Sequence, residues 1–353
     1  MQVVHTPVGS SRGRLLSQYT LARINSMEGI DLALFDFDRH NAIYYFALNT
    51  DEEIYFRYGG RDAKSAHSYL NLESLELALT QGLKIHEKSV STPVNKPKPL
   101  RKLPDQVPGL NEHVVQQKRC VECHHIAHFE TTFAEKNDTL NKVRDMFRSP
   151  DIKNLGINLD VPKGLRIAES SGAAKDAGLQ EGDVIKKLNS QDVVTFGDLQ
   201  YYLDKVDRNT TKINVTVNRN NSEHILDLTL PDLWWKTDIG YRNWTINPLT
   251  FFTSKKLTDE EKKALKLPVR GLASRVTEVP IDAMLESAHT LEIGDIITAI
   301  DGEVENVLGT GAQLHIKLFH ESGSKVDLDV LRKGKKITVS LQTVRKVFRR
   351  VEE

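Results

Sequence analysis

"GAAKDAGLQEGDVIKKLNSQDV", residues 172–193, decides the fold of most of this chain. It reads as a short alanine-rich helix, a Gly-Asp turn, an apolar strand and a second turn. The same order returns in "DAMLESAHTLEIGDIITAIDGEVE", residues 282–305. Each copy continues into a second helix, "FGDLQYYLDKV" (196–206) and "TGAQLHIKLF" (310–319). Each ends in two alternating strands around a polar turn, "KINVTVNRNNSEHILDLTL" (212–230) and "KVDLDVLRKGKKITVSLQTV" (325–344). A repeat that carries its own complete set of elements means two tandem domains rather than a solenoid.

The rest of the composition sets bounds. At 353 residues the chain has length for two or three domains, each with its own core. Lys and Arg number 48, as do Asp and Glu, so no general basic surface exists for nucleic acid. No apolar run is long enough to cross a bilayer. The opening residues, "MQVVHTPVGSSRGRLLSQYTLARINS", hold no apolar stretch of signal-peptide length. The cysteine count is 2, which excludes a disulfide framework.

Upstream of the repeat lies a proline-rich stretch, "KSVSTPVNKPKPLRKLPDQVPGLNEHVVQQKR", with Pro93, Pro97, Pro99, Pro104 and Pro108. Proline fixes φ and removes a donor, so residues 89–118 are expected to be an extended, unpacked linker. It sets apart an N-terminal unit, 1–88. There "YTLARI" reads as a strand and "DLALFDFD" as a short helix or irregular turn. "NAIYYFALN" and "EIYFRYGG" read as a hairpin. "LNLESLELALTQGLKIHEK" places Leu72, Leu75, Leu79 and Leu83 on one helical face behind an Asn71 cap.

The repeated unit resembles the PDZ domain in the circularly permuted form of bacterial HtrA/Deg-type proteins. "AAKDAGLQEGDVIKKLNSQDV" carries the resemblance, and "LTDEEKKALKLPVRGLASRV" (257–276) resembles the segment ahead of a Deg-type PDZ strand. The second copy has Thr290 where the first has Gly178. The resemblance implies partly open β-barrels with helices, at 151–231 and 232–347. It also implies a groove in which a partner peptide adds as a strand, its terminal carboxylate held by a glycine-containing loop. That loop is expected at Leu155, Gly156 and Ile157 in the first copy and at Ile239, Gly240 and Tyr241 in the second. The partners implied are protein C-termini or peptide segments. A Deg-type protease would need a catalytic barrel with Ser, His and Asp roles. Residues 1–88 are too few for one, and no Gly-x-Ser-x-Gly occurs.

The N-terminal unit is similar to bacterial proteins that join a thioredoxin-like domain to PDZ domains with a Cys-x-x-Cys-His between them. The fold expected is therefore α+β multidomain: a partial thioredoxin-like α/β domain, then two tandem PDZ domains. The chain departs from that family in having no cysteine before Cys120, so the N-terminal unit cannot perform dithiol exchange.

Both cysteines fall in "RCVECHHIAHFE", residues 119–130, within a segment spanning 119–150. Cys-x-x-Cys-His is the attachment pattern of c-type haem, with thioethers at Cys120 and Cys123 and His124 as axial ligand. His86, His113, His128 and Met146 are candidates for the opposite axial position. Three other readings stay open. One is a zinc clip using two of His124, His125 and His128. Another is a thiol-disulfide oxidoreductase using Cys120 and Cys123. The third is an inert pair. Covalent haem implies a periplasmic or otherwise extracytoplasmic protein whose leader precedes the present start. If Met1 is the true start, a cytoplasmic location is implied instead. The function expected is a peptide-binding adaptor coupled to a redox or electron-transfer segment, with no catalytic triad.

Overall fold

The computed structural model describes residues 6, 7, 9–41, 43–91, 99–281, 288–304 and 311–345, and at 243–245 the backbone alone. The chain divides into two compact units, residues 1–126 with 143–237 and residues 127–142 with 238–353.

The first unit opens with α1 (Ser11–Leu16), the antiparallel hairpin β1 (Tyr45–Leu48) and β2 (Ile54–Tyr58), and the long helix α2 (Leu72–Ser91). The Asn71 side chain caps α2, accepting from the amides of Glu73 (2.9 Å) and Ser74 (3.2 Å). Its apolar face does what the leucine spacing predicts: Leu75, Ala78 and Leu79 pack with Ala47, Phe56 and Tyr58. A buried side chain of this size contributes about 2 kcal/mol.

Two expectations fail here. "YTLARI" forms no strand, and the hairpin sheet has two strands, so no thioredoxin-like sheet is assembled among the described residues. The proline-rich stretch is also not unpacked beyond residue 98. Lys102 exchanges bonds with residues 31 and 32, its amide donating to Asp31 and its carbonyl accepting from Leu32. Val107, Leu110 and Val114 are buried, on a 3-10 turn at Pro104–Gln106 and a π-helical turn at Asn111–Val115. Those apolar residues recur at helical spacing, and burying them outweighs the stiffness that the prolines suggest.

Next come α3 (Cys123–Lys136) and α4 (Lys142–Met146). The first repeat copy supplies β3 (Ile157–Leu159), β4 (Ile167–Ser170), α5 (Gly172–Asp176), β5 (Val184–Leu188), β6 (Gln191–Asp192), α6 (Phe196–Asp204), β7 (Lys212–Arg219) and β8 (Ser222–Thr229). β3 and β4 pair alone, and the larger sheet runs β6-β5-β7-β8. The residues expected to form a separate domain, 1–88, thus share one compact unit with this copy.

The second copy contains β9 (Thr253–Lys256), α7 (Asp259–Ala264), β10 (Ser274–Glu278), β11 (Ile296–Ile300), α8 (Ala312–Phe319), β12 (Lys325–Arg332) and β13 (Lys335–Gln342). Its sheet runs β13-β12-β11-β10-β9. Thr258 caps α7 in a reciprocal box with Glu261. The short helix expected over residues 282–287 lies outside the described residues.

One device shows that the two copies are the same fold. Arg219 grips Asp183 through two bonds (2.7 and 2.8 Å) and reaches the carbonyl of Gly178. Arg332 grips Asp295 likewise (2.9 and 2.7 Å) and reaches the carbonyl of Thr290. The Gly-Asp turns carry Gly182 at φ +90° and Gly294 at φ +95°. The architecture is mixed α+β.

Candidate functional site

The groove that the resemblance implies for the first copy would run between β3 and α6. Gly156 ends the 3-10 turn Ile152–Leu155 in the left-handed region, at φ +83°. A side chain there would collide with the carbonyl of Ser171, so glycine is required for the turn itself. The Gly156 amide bonds back to Ile152 and Lys153, and its carbonyl accepts from Ser171. This amide is already spent inside the turn, which weakens its expected part in holding a carboxylate. The alternation of an antiparallel ladder then turns the N–H and C=O of Ile157 away from β4, towards the groove. Among the described residues no strand pairs with that outer edge of β3. Leu155 and Ile157 are brought together in one buried cluster with Phe196, Leu199 and Leu203 of α6.

Helix α6 begins at Thr195, whose hydroxyl accepts from the amide of Asp198 in a capping box. Every residue from Thr195 to Gln200 is buried, so the helix is covered on more than its core face. The cover is the end of β2 together with the chain from Gly59 to Tyr69. The amide of Arg57 donates to Asp198 (2.8 Å), and the Thr195 hydroxyl donates to the carbonyl of Arg57. Tyr44 donates to the carbonyl of Gly197. The Gln200 carboxamide accepts from the amide of Arg61 (3.1 Å) and donates to its carbonyl (2.8 Å). Tyr69 stacks on Phe196 with centroids 3.4 Å apart and belongs to the same buried cluster. Burial pushes the carboxyl of Asp198 up to about 6, against its amide bonds and the Arg57 guanidinium.

The second copy differs. Gly240 opens a 3-10 turn, Gly240–Thr245, and Ile239 is fully buried, so Ile239, Gly240 and Tyr241 do not border the first strand of that copy. The left-handed residue ahead of β9 is Phe251, at φ +52°. The groove itself is shut. Ser254 of β9 donates to Gln313 (2.6 Å), accepts from the amide of Ala312 (3.0 Å), and its carbonyl accepts from Gln313 (3.3 Å). The start of α8 therefore rests directly on β9, where a partner strand would have to enter.

At the cysteine segment, Cys123 is the first residue of α3 and Cys120 is exposed ahead of it. Burial pushes the Cys123 thiol up despite the nearby Arg39 charge, opposite to what an attacking thiolate requires. Glu122 pairs with Nδ1 of His124 (3.1 Å), and Nδ1 of His125 accepts from the amide of Glu122. Among the described residues no three His, Cys, Asp or Glu side chains converge as metal ligands, so no zinc clip is assembled. Of the other axial candidates, His128 and Met146 are buried and His86 bonds to the Tyr55 hydroxyl.

Ser149, Asp38 and His40 come together, but the serine hydroxyl and the imidazole both address the carboxylate. A buried serine whose proton goes to an aspartate is not placed as a nucleophile. Trp234 lies in the core of the first unit with Trp235 packed against it. No described helix is long and apolar enough to cross a membrane.

No protein-family model matches the chain. No curated protein matches it. Among solved structures it is similar to the HtrA-type protease AlgW. Two structures with decapeptide show 19% and 18% identity with TM-scores of 0.24 and 0.23, covering 39% and 40% of this chain. One with tripeptide shows 18% identity and a TM-score of 0.26, covering 50%. The chain spans 42%, 43% and 57% of the length of these proteins.

The sequence points to Leu155, Gly156 and Ile157 as loop residues but not to Gln200, Asp198 and Tyr69, which the fold brings beside them in the first unit. "RYGGRD" held the available signal: adjacent glycines at φ +151° and +107°, where the backbone passes close to a neighbour.

Proposed function

We propose that this chain is a peptide- or protein-terminus-binding adaptor whose working groove lies between β3 and α6. The observation that supports it is the outer edge of β3, with which no strand pairs among the described residues, beside apolar residues of α6 in the same cluster. An added strand would bond to the main chain of Ile157 and set its side chains against Leu155, Leu199 and Leu203. In the second copy the start of α8 is bonded to β9, so no peptide site is assigned there. The test is selection from displayed peptides with free C-termini, then titration of the selected peptide while amide resonances are watched. Shifts at Ile157, Leu159 and α6 are expected. Binding that leaves those amides unmoved would sink the groove assignment.

A second reading concerns Cys120, Cys123 and His124, and the Glu122–His124 pair favours it. A carboxylate on Nδ1 orients the imidazole, so Nε2 would be the nitrogen to meet an iron. Exposed Cys120 and half-buried Cys123 would hold the group by thioethers. A c-type haem bound there would supply one-electron chemistry in an extracytoplasmic compartment. The check is an absorption spectrum of denatured protein from a host with haem c maturation. A Soret band that disappears in Cys120→Ala/Cys123→Ala is expected; a colourless exported protein would remove the reading.

A further inference from the structure

The working groove is not empty along α6. The chain from Arg57 to Asp62 runs beside the helix from its first turn to the loop ahead of β3. Arg57 meets Thr195 and Asp198, Gly60 lies over Phe196, Arg61 meets Gln200, and Asp62 pairs with Lys153 (3.1 Å). Tyr69 then fills the space beside Phe196, at 5% exposure. We propose that residues 57–69 are an intramolecular ligand of the first groove, and that an outside peptide must displace them. This rests on the reading of that groove as a peptide site.

Arg57 and Tyr58 belong to β2 and its core, but three features of the contact with α6 suit an exchangeable occupant. The segment's main chain is bonded to α6 at four points: helix side chains bond the N–H and C=O of Arg57 and of Arg61. Main-chain bonds of this kind can be made by other peptides, although the passage over Phe196 demands glycine at Gly60. The segment uses one wall, because no backbone bond joins it to the outer edge of β3 among the described residues. A peptide that also pairs with β3 gains bonds that the resident segment does not make. The fit of Tyr69 is also incomplete, since its hydroxyl is buried with no hydrogen-bond partner. Leaving a desolvated hydroxyl unbonded is a standing cost that release removes.

The glycines give a way to evict the segment without touching the groove. Gly60 stands at φ +107°, and a Cβ there would come within 2.6 Å of the Phe196 ring. The Gly60→Val variant should therefore release residues 57–69, and Tyr69→Ala should do so by a different route.

The probe is a fluorescent synthetic peptide with the sequence of residues 57–69, read by anisotropy against full chains. A groove that is open a tenth of the time binds about tenfold more weakly than a free one. Both variants should bind the probe about tenfold or more tightly than the unaltered chain does. Equal binding by all three, or no binding by variants that melt cooperatively, overturns the proposal. The displayed C-terminal peptides separate this from the functional reading. If the unaltered chain binds them as tightly as the variants do, the groove is a peptide site and the internal ligand is wrong. If the variants bind the probe but no displayed peptide, the internal ligand stands and partner capture falls. Should neither variant fold, hydrogen exchange on the unaltered chain decides. Excess probe should speed exchange at residues 57–62, and bound probe with unchanged exchange overturns the proposal.

Discussion

A left-handed residue stands ahead of the first strand in each copy, and only one of the two announces itself. Gly156 and Phe251 each take a left-handed conformation just ahead of the first strand of a copy. Glycine at 156 was legible because nothing else fits beneath the Ser171 carbonyl. Phenylalanine at 251 carries no such mark, and the glycine at 240, which does, makes a different turn. Gly156→Ala combines a left-handed alanine with that collision, so it should cost about 2–4 kcal/mol. A urea titration of the variant checks it, and a loss below about 1 kcal/mol would contradict the close approach. Gly156 is therefore a poor probe of binding, because its substitution unsettles the fold before it reports on the groove.

At the scale of elements, the repeat was readable because its signals are local. Alternation in β7, β8, β12 and β13, the left-handed Asn220-Asn221 and Lys333-Gly334 turns, and the Gly-Asp pairs all declare themselves within a few residues. Helix α2 was equally plain, and Asn71→Ala should cost it about 1 kcal/mol, measurable as a lower urea midpoint. A midpoint unchanged from the parent would mean that the cap bonds to Glu73 and Ser74 contribute nothing. What could not be read is the docking of β2 onto α6. It depends on main-chain atoms of Arg57 and Arg61, and main-chain bonding leaves no trace in side-chain pattern. The same holds for the fold-back at Asp31 and Lys102, which prolines disguised as an open linker.

For the molecule as a whole, the docked N-terminal segment ties stability to pH through two carboxylates that pull in opposite directions. Asp36 is partly buried, which raises its pKa, but the Arg148 and Lys205 charges outweigh this and hold it at about 2. A group depressed from its ordinary 3.8 contributes stability above that value and loses it as pH falls towards 2. The amount is about 2 kcal/mol. Asp198 is the reverse case. Burial raises it to about 6, so the folded chain takes up a proton before the unfolded chain does. Its charge is a cost above pH 6 that is relieved as pH falls from 6 towards 3.8. The two together place the maximum of stability for the first unit between about pH 4 and 6. A series of urea midpoints from neutral to acid should rise, level off, and then drop. In Asp198→Asn the rise between neutral pH and pH 5 should be lost, and in Arg148→Ala the acid drop should shrink. A wild-type midpoint that falls steadily from neutral pH downward would mean that Asp198 stays ionised beneath Arg57, and that its charge helps to hold the segment against α6.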